Sequence, residues 1–334
     1  MIKEILERLG IKNAKPQTQP STYVSAAKFE TAPAYIEKEA DSSLYDFKEV
    51  TLHDMKSRPD AIHDMFSGKS DGFLIKNFLS SEEVDKLLDK LNEIKKNDSQ
   101  LANVPEGFTY PLIIAEYNQR VIMLPEAEQA QAGKKYFQEM DRFNHSFVAE
   151  YGVDVQSRIT DFFSSIAGGR KVDIPQGLND EGHYTFATFR YLVPNQGLMS
   201  VHCANYFGKT FKKAYAHLNT KIIAPDQMSY FIMLQEPDEG GELSLFNFRW
   251  QDGQTKKDAA EDNEIIQPDG TKMYVQTDPA IRKNKIRPRK GDMILFQGGN
   301  IWHRIERVKG TKPRITFGGF LSLSHDKNTV YFWS

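Results

Sequence analysis

One cysteine, Cys203, stands among 334 residues. That scarcity excludes an internal disulfide framework and any zinc or iron–sulfur site built from several thiolates, and it fits a reducing cytoplasm. Long apolar runs are missing as well, so no stretch of about 18 apolar residues offers a membrane-spanning helix. Neither sign of charge is in excess: 43 Lys plus Arg face 45 Asp plus Glu. No general pull toward nucleic acid or an anionic membrane surface follows from that balance. Internal repeats are absent. The opening Met1–Gly10 is too charged for a signal-peptide core, and Ile2, Ile5, Leu6 and Leu9 fall at helical spacing before Gly10, the pattern of a short amphipathic helix. What is plentiful is apolar and aromatic, 40% and 12% of the chain, enough for one large domain with a sizeable core.

Residues 12–41 mix Pro, Ser, Thr, Gln and Ala with little periodicity, so 1–50 reads as a helix followed by an extended arm and 51–334 as a single domain. Helical text starts at Leu52, with Ser57 as an N-cap before Pro59; Gly72–Phe78 reads as a strand. Ser80 caps a further helix whose stripe is Val84, Leu87, Leu88 and Leu91. Helices are predicted over 125–150 and 153–167, buttressing a sheet. From Tyr184 the period changes to that of strands: 185–193, 228–235, 242–250, 292–297 and 314–321 are short, rich in β-branched or aromatic residues, and bounded by turn residues. Such text suits a mainly β jelly roll, a cupin-like double-stranded β-helix whose two sheets enclose a pocket. A polar insertion over about 251–285 reads as a lid.

Two histidines stand out from the eight. His202 precedes a turn-and-strand sequence, Pro237–Leu243, and His303 follows the strand Gly291–Phe296, 101 residues after His202. This is the layout of a mononuclear non-haem iron oxygenase, in which two imidazoles and one carboxylate occupy one face of Fe(II). The carboxylate belongs two residues after the first His, and Ala204 stands there. A methyl group leaves both a coordination position and the room beside it for a halide. By strand alternation His202 and Ala204 share a face while Cys203 points away and packs. Arg314 and Thr316, beginning eleven residues after His303, offer a guanidinium and a hydroxyl for the distal carboxylate of 2-oxoglutarate. The other histidines, at 53, 63, 145, 183, 217 and 325, read as structural.

In this order the motifs resemble the carrier-independent iron/2-oxoglutarate halogenases of cyanobacterial indole-alkaloid biosynthesis, the welwitindolinone and ambiguine type. The matching text is Val201-His202 with Asn205, Asp226–Ile232, Gly240–Leu243, Gly298-Gly299 before His303-Arg304, Gly318–Leu321 and Tyr331–Ser334. The resemblance implies a double-stranded β-helix using Fe(II), 2-oxoglutarate, chloride and O2, a chloro-ferryl intermediate, and chlorination or bromination of an unactivated C–H carbon. It also implies a free small-molecule substrate, with no carrier protein, nucleic acid or membrane as partner. One departure is Ala204, where the alkaloid enzymes carry Gly; alanine is typical of halogenases that act on carrier-bound amino acids. Ser229 lies, by resemblance, where it would steer an oxo group by hydrogen bonding, and only one of Ser229 and Tyr230 can enter the pocket. Arg190 matches an arginine of that family and holds a cofactor carboxylate, the water shell of the chloride, or a partner at the barrel rim. Phe207 and Met199 line the substrate pocket or belong to the core. The alternative to halogenation is an Fe(II)/2-oxoglutarate hydroxylase or desaturase in which water, Asp226 or Glu242 fills the vacancy.

Overall fold

A computed structural model describes residues 40–98, 101, 107–111, 126–178, 182–195, 199–210, 212, 215–223, 227–250, 255–256, 264–267, 269–275 and 277–334. The helix expected at Met1–Gly10 lies outside them. In chain order the elements are β1 (Phe47–Thr51), α1 (Leu52–Met55), α2 (Ala61–Phe66), β2 (Gly72–Lys76), α3 (Ser81–Asn97), β3 (Gly107–Tyr110), α4 (Glu126–Tyr151), α5 (Val155–Ile166), β4 (Lys171–Asp173), β5 (Thr188–Leu192), β6 (Met199–His202) and α6 (Ala204–Thr210). There follow β7 (Met228–Gln235), β8 (Glu239–Gly240), β9 (Leu243–Arg249), β10 (Thr255–Lys256), β11 (Glu264–Ile266), β12 (Lys272–Tyr274), β13 (Lys283–Ile286), β14 (Met293–Phe296), β15 (Ile301–Ile305), β16 (Val308–Lys309), β17 (Arg314–Leu323) and β18 (Thr329–Trp333).

Nine strands make the major sheet in the order β1-β2-β14-β7-β17-β18-β4, with β5 on β17 and β3 on β5; the minor sheet runs β13-β9-β15-β6. Apolar side chains of both sheets, among them Leu192, Leu243, Leu245, Ile294 and Phe296, form one cluster between them. The fold is therefore a mainly β jelly roll, as expected, and its sheets do not close into a barrel. Phe47–Thr51 pairs in parallel with Gly72–Lys76 at the edge of the major sheet.

Period-two alternation decides which face each side chain serves. On β7, Met228, Tyr230, Ile232 and Leu234 join the core beneath the helices, whereas Phe231 packs between the sheets. Ile315, Phe317 and Leu321 of β17 and Phe189 and Tyr191 of β5 also belong to the helical side. Rings from the helices complete that layer: Phe147 of α4 stacks on Phe317 at 5.4 Å and Phe163 of α5 meets Tyr230 edge-on at 5.1 Å.

Local chemistry explains the helix starts. Ser80 Oγ accepts from the Glu83 amide at 3.3 Å and Glu83 Oε2 accepts from the Ser80 amide at 2.8 Å, a capping box. Ser57 does not cap a start as expected. Thr51 caps α1 together with Asp54, and the Ser57 hydroxyl donates to the Asp54 carbonyl at 2.7 Å, closing that helix instead. The stretch read as a lid contributes β10, β11 and β12, and its Ile265, Val275 and Ile281 pack with Val201, Cys203, Phe246 and Trp302. That is the outward face of the minor sheet. Among the described residues no helix is long and apolar enough to cross a membrane.

Candidate active site

His202 and His303 are paired directly across β6 and β15. Their ring centroids lie 4.3 Å apart, tilted by 58°, and the residues are only 7% and 6% exposed. Their neighbours Val201 and Trp302 pack on the outward face, so alternation turns both imidazoles toward the space between the sheets. His303 Nδ1 lies 2.7 Å from the Ile301 carbonyl. Only a ring N–H can donate there, which leaves the Nε2 lone pair for a ligand. Burial pushes the His303 pKa down to about 4, with the positive charge of Arg190 acting in the same direction. A neutral imidazole is what metal ligation requires. The pair thus fits an iron ion bound through imidazole nitrogen.

Among the described residues no group of three or more His, Cys, Asp or Glu is arranged to hold a metal ion. Glu242, a candidate replacement carboxylate, instead pairs with Arg287 at 2.5 Å. Asp226 lies outside the described residues. Ala204 is placed differently from the strand alternation expected of it: β6 ends at His202 and Ala204 opens α6. Two backbone bonds from this start to a glycine turn hold it, the Ala204 amide donating to Gly298 O at 3.0 Å and the Asn205 amide to Gly299 O at 3.2 Å. Cys203 is buried with Trp302 and Val201, the packing role expected.

Ser229 pairs in register with Phe296 of β14 and Phe320 of β17. Tyr230 faces the helices, its hydroxyl donating to the Phe186 carbonyl, so Ser229 is the one of the two on the inner face. Its side chain lies directly against Gly298: a Cβ there would overlap the Ser229 hydroxyl and come within 2.7 Å of its Cβ. Phe296 meets the His303 ring edge-on at 4.9 Å. Sequence reading passed over Gly298 as a contact of Ser229, although the Gly298-Gly299 pair was its visible signal.

Arg314 and Thr316 pair with Leu192 and Arg190 of β5. Leu192 belongs to the inter-sheet core, which puts Arg314, Thr316 and Arg190 on the inner face with Ser229. Arg314 Nε donates to Gly241 O at 2.8 Å and the guanidinium lies 5.1 Å from the Phe231 ring centroid. The φ of +69° at Gly241, with a Cβ there only 3.1 Å from Arg314 Cδ, shows why glycine occupies that turn. Arg190 is half-buried, 5.3 Å from the Phe320 ring centroid. Met199 packs in the inter-sheet core. Phe207 sits on α6, its side chain outside the described residues.

A family model described as "Carrier-protein-independent halogenase WelO5" matches residues 44–334. No curated protein gives a significant match. Among solved structures the chain is similar to an N-substituted L-amino acid dioxygenase from Burkholderia ambifaria AMMD, with 18% identity and a TM-score of 0.49 over 81% of this chain and 90% of that one. The same dioxygenase in complex with alpha-KG gives a TM-score of 0.46 at 18% identity and the same coverage, 81% and 90%. A prolyl hydroxylase from Trichoplax adhaerens, in complex with a hypoxia inducible factor oxygen degradation domain peptide fragment, is 10% identical with a TM-score of 0.38 over 80% and 89% of the two chains.

Proposed function

The chain belongs to the carrier-protein-independent halogenase family, an enzyme of the Fe(II)/2-oxoglutarate oxygenase type, and on that premise we propose that it chlorinates or brominates an unactivated aliphatic C–H bond of a free small molecule. One observation carries the halogenase reading: His202, paired with His303, is followed two residues on, at the position expected for the carboxylate ligand, by Ala204. Fe(II) with 2-oxoglutarate and O2 supplies the oxidising power to take a hydrogen atom from an aliphatic carbon. The balance is R–H, chloride, 2-oxoglutarate, O2 and one proton giving R–Cl, succinate, CO2 and water.

The residues divide the work. His202 and His303 would hold the metal, and the Ile301 carbonyl fixes the ring of His303. Arg314 and Thr316, two residues apart on one face of β17, bind the distal carboxylate of 2-oxoglutarate, and Arg190 opposite Thr316 adds a second positive charge. Ala204 leaves the space a halide needs. Ser229, on the inner face, would offer the hydrogen-bond donor that favours halogen transfer over hydroxylation. The substrate reaches the site unattached, in keeping with the family's description.

The test uses anaerobic protein with Fe(II) and 2-oxoglutarate. A visible charge-transfer band is expected, changed by chloride and lost in His303→Ala. Absence of the band would sink the oxygenase-type assignment to these residues. A band indifferent to chloride would remove the halogenase reading and leave a hydroxylase or desaturase.

A further inference from the structure

The turn Gln297–Gly299 joins β14 to β15, and it touches each feature on which the choice between halogen and hydroxyl depends. Gly298 O and Gly299 O accept the amides of Ala204 and Asn205 at 3.0 and 3.2 Å. Gly298 gives the Ser229 hydroxyl its room, since any Cβ would overlap it. Gly299 N donates to Gln227 O at 2.5 Å, two residues before Ser229. The Gln297 carbonyl accepts from Ile301 N at 2.9 Å, and Ile301 O is the acceptor for His303 Nδ1. Five positions from three separate parts of the chain, Ala204, Asn205, Gln227, Ser229 and Ile301, are therefore referred to one turn of three residues.

A turn with two adjacent glycines has no stiffness of its own. Gln297 supplies it. Its side chain is buried, and Nε2 donates to Met65 O at 2.6 Å and to Ser70 O at 2.8 Å. Oε1 accepts from Arg249 Nη1 at 3.1 Å, and Arg249 is in turn paired with Asp71. The Gln297 amide donates to Asp71 O at 3.0 Å. A carboxamide is the one side chain of this length that offers two donors and an acceptor together. Glutamate would present lone pairs to the Met65 and Ser70 carbonyls, and methionine would offer them nothing.

We propose that Gln297 is a positioning residue which, by holding the Gln297–Gly299 turn, sets the relative placement of Ala204 and Ser229 and thereby the ratio of halogenated to hydroxylated product. The proposal rests on the halogenase reading above. It predicts that Gln297→Met lowers that ratio about tenfold, the effect of losing a small number of buried hydrogen bonds. The half-exposed Arg249, replaced by Met, removes one of the two donors to Oε1, Asn300 Nδ2 remaining at 3.5 Å, together with the pair to Asp71, and shifts the ratio in the same direction, roughly two- to threefold; this milder variant answers the question if Gln297→Met does not fold. Leu91→Ala in α3, a buried site far from the turn in sequence and element, serves as the destabilised comparison and leaves the ratio unchanged while lowering Tm.

Two readouts are taken on holoenzyme with substrate established by product screening: the ratio of products in chloride, and, anaerobically, the chloride concentration that half-saturates the change in the Fe(II)·2-oxoglutarate band. A lower ratio together with a weaker chloride response in the Gln297 and Arg249 variants, absent in Leu91→Ala, supports the proposal. An unchanged ratio and chloride response alongside a fallen Tm overturns it and leaves Gln297 purely structural. If wild-type enzyme shows neither chloride response nor halogenated product, the halogenase reading fails and the proposal falls with it, a result separate from the previous one.

Discussion

Replacing Glu306 with Gln changes one buried charge on the minor sheet without changing its shape. Glu306 Oε1 accepts from Lys283 Nζ at 2.9 Å and from Ser244 Oγ at 2.5 Å, while Oε2 accepts from Arg304 Nε at 3.0 Å and pairs with Nη2 at 2.8 Å. Lys283 and Arg304 side chains are 2% and 5% exposed, so removing the carboxylate takes a shared counter-charge from two cations held away from water. These cations hold the Glu306 pKa down to about 2 from its ordinary 4.5 against the opposing effect of burial. A difference of that size corresponds to about 3 kcal/mol of folding free energy. Breaking a buried ion pair by deleting one partner costs about 3–5 kcal/mol, in the same range. Because the folded-state pKa is depressed, the contribution is complete above about pH 4.5 and disappears as pH falls toward 2. Urea unfolding of wild-type and Glu306→Gln, followed by tryptophan fluorescence, should show a gap of about 3 kcal/mol at pH 7 that narrows steadily below pH 4.5. A gap under about 1 kcal/mol at pH 7, or one that does not change with pH, would refute the reasoning.

Other expectations concern the site and its frame. Ser229→Ala should raise the hydroxylated share of product severalfold with little change in Tm; an unchanged share would show that the hydroxyl does not direct the outcome. Arg314→Lys loses the guanidinium fork and its bond to Gly241 O, and should raise KM for 2-oxoglutarate by roughly tenfold or more, measured by succinate release; an unchanged KM would assign the carboxylate to another group. Gly240→Ala places a Cβ against the Arg307 carbonyl at a φ of +70° and should cost about 2 kcal/mol by urea unfolding; a neutral change would mean that this turn relaxes freely.

The strands that carry the site were legible because their burial alternates locally. β7 spans Met228–Gln235 as the periodicity predicts, and β9, β14 and β17 deviate by one or two residues. His202, His303, Arg314 and Thr316 were found from strand context and order, and the structure brings all four to the inner faces of the two sheets. What escaped depends on contacts distant in sequence. The strand text at 185–187 does not pair because Asn144 Oδ1 accepts from the Phe186 amide and Thr185 Oγ1 donates to the Ala187 carbonyl, so β5 begins at Thr188. Ala204 leaves the strand because its amide is taken by Gly298, nearly a hundred residues away. The role of Gln297 was invisible for the same reason: its partners Met65, Ser70 and Arg249 come from two other segments, both distant in sequence. Alternation still required that only one of Ser229 and Tyr230 face the pocket, since both lie inside one regular strand, and the family resemblance chose Ser229.

The most direct measurement is the mass spectrum of products formed when the enzyme, Fe(II), 2-oxoglutarate and air are incubated with candidate small-molecule pools in chloride or in bromide, with wild-type and Ala204→Asp in parallel. Wild-type should give a product with the chlorine isotope pair in chloride and the bromine pair in bromide, while Ala204→Asp, with the carboxylate restored, gives only the oxygen-bearing product. Halogenated product from Ala204→Asp would show that the halide does not bind where Ala204 makes room, and a wild-type product carrying oxygen alone in both salts would contradict halogenation altogether.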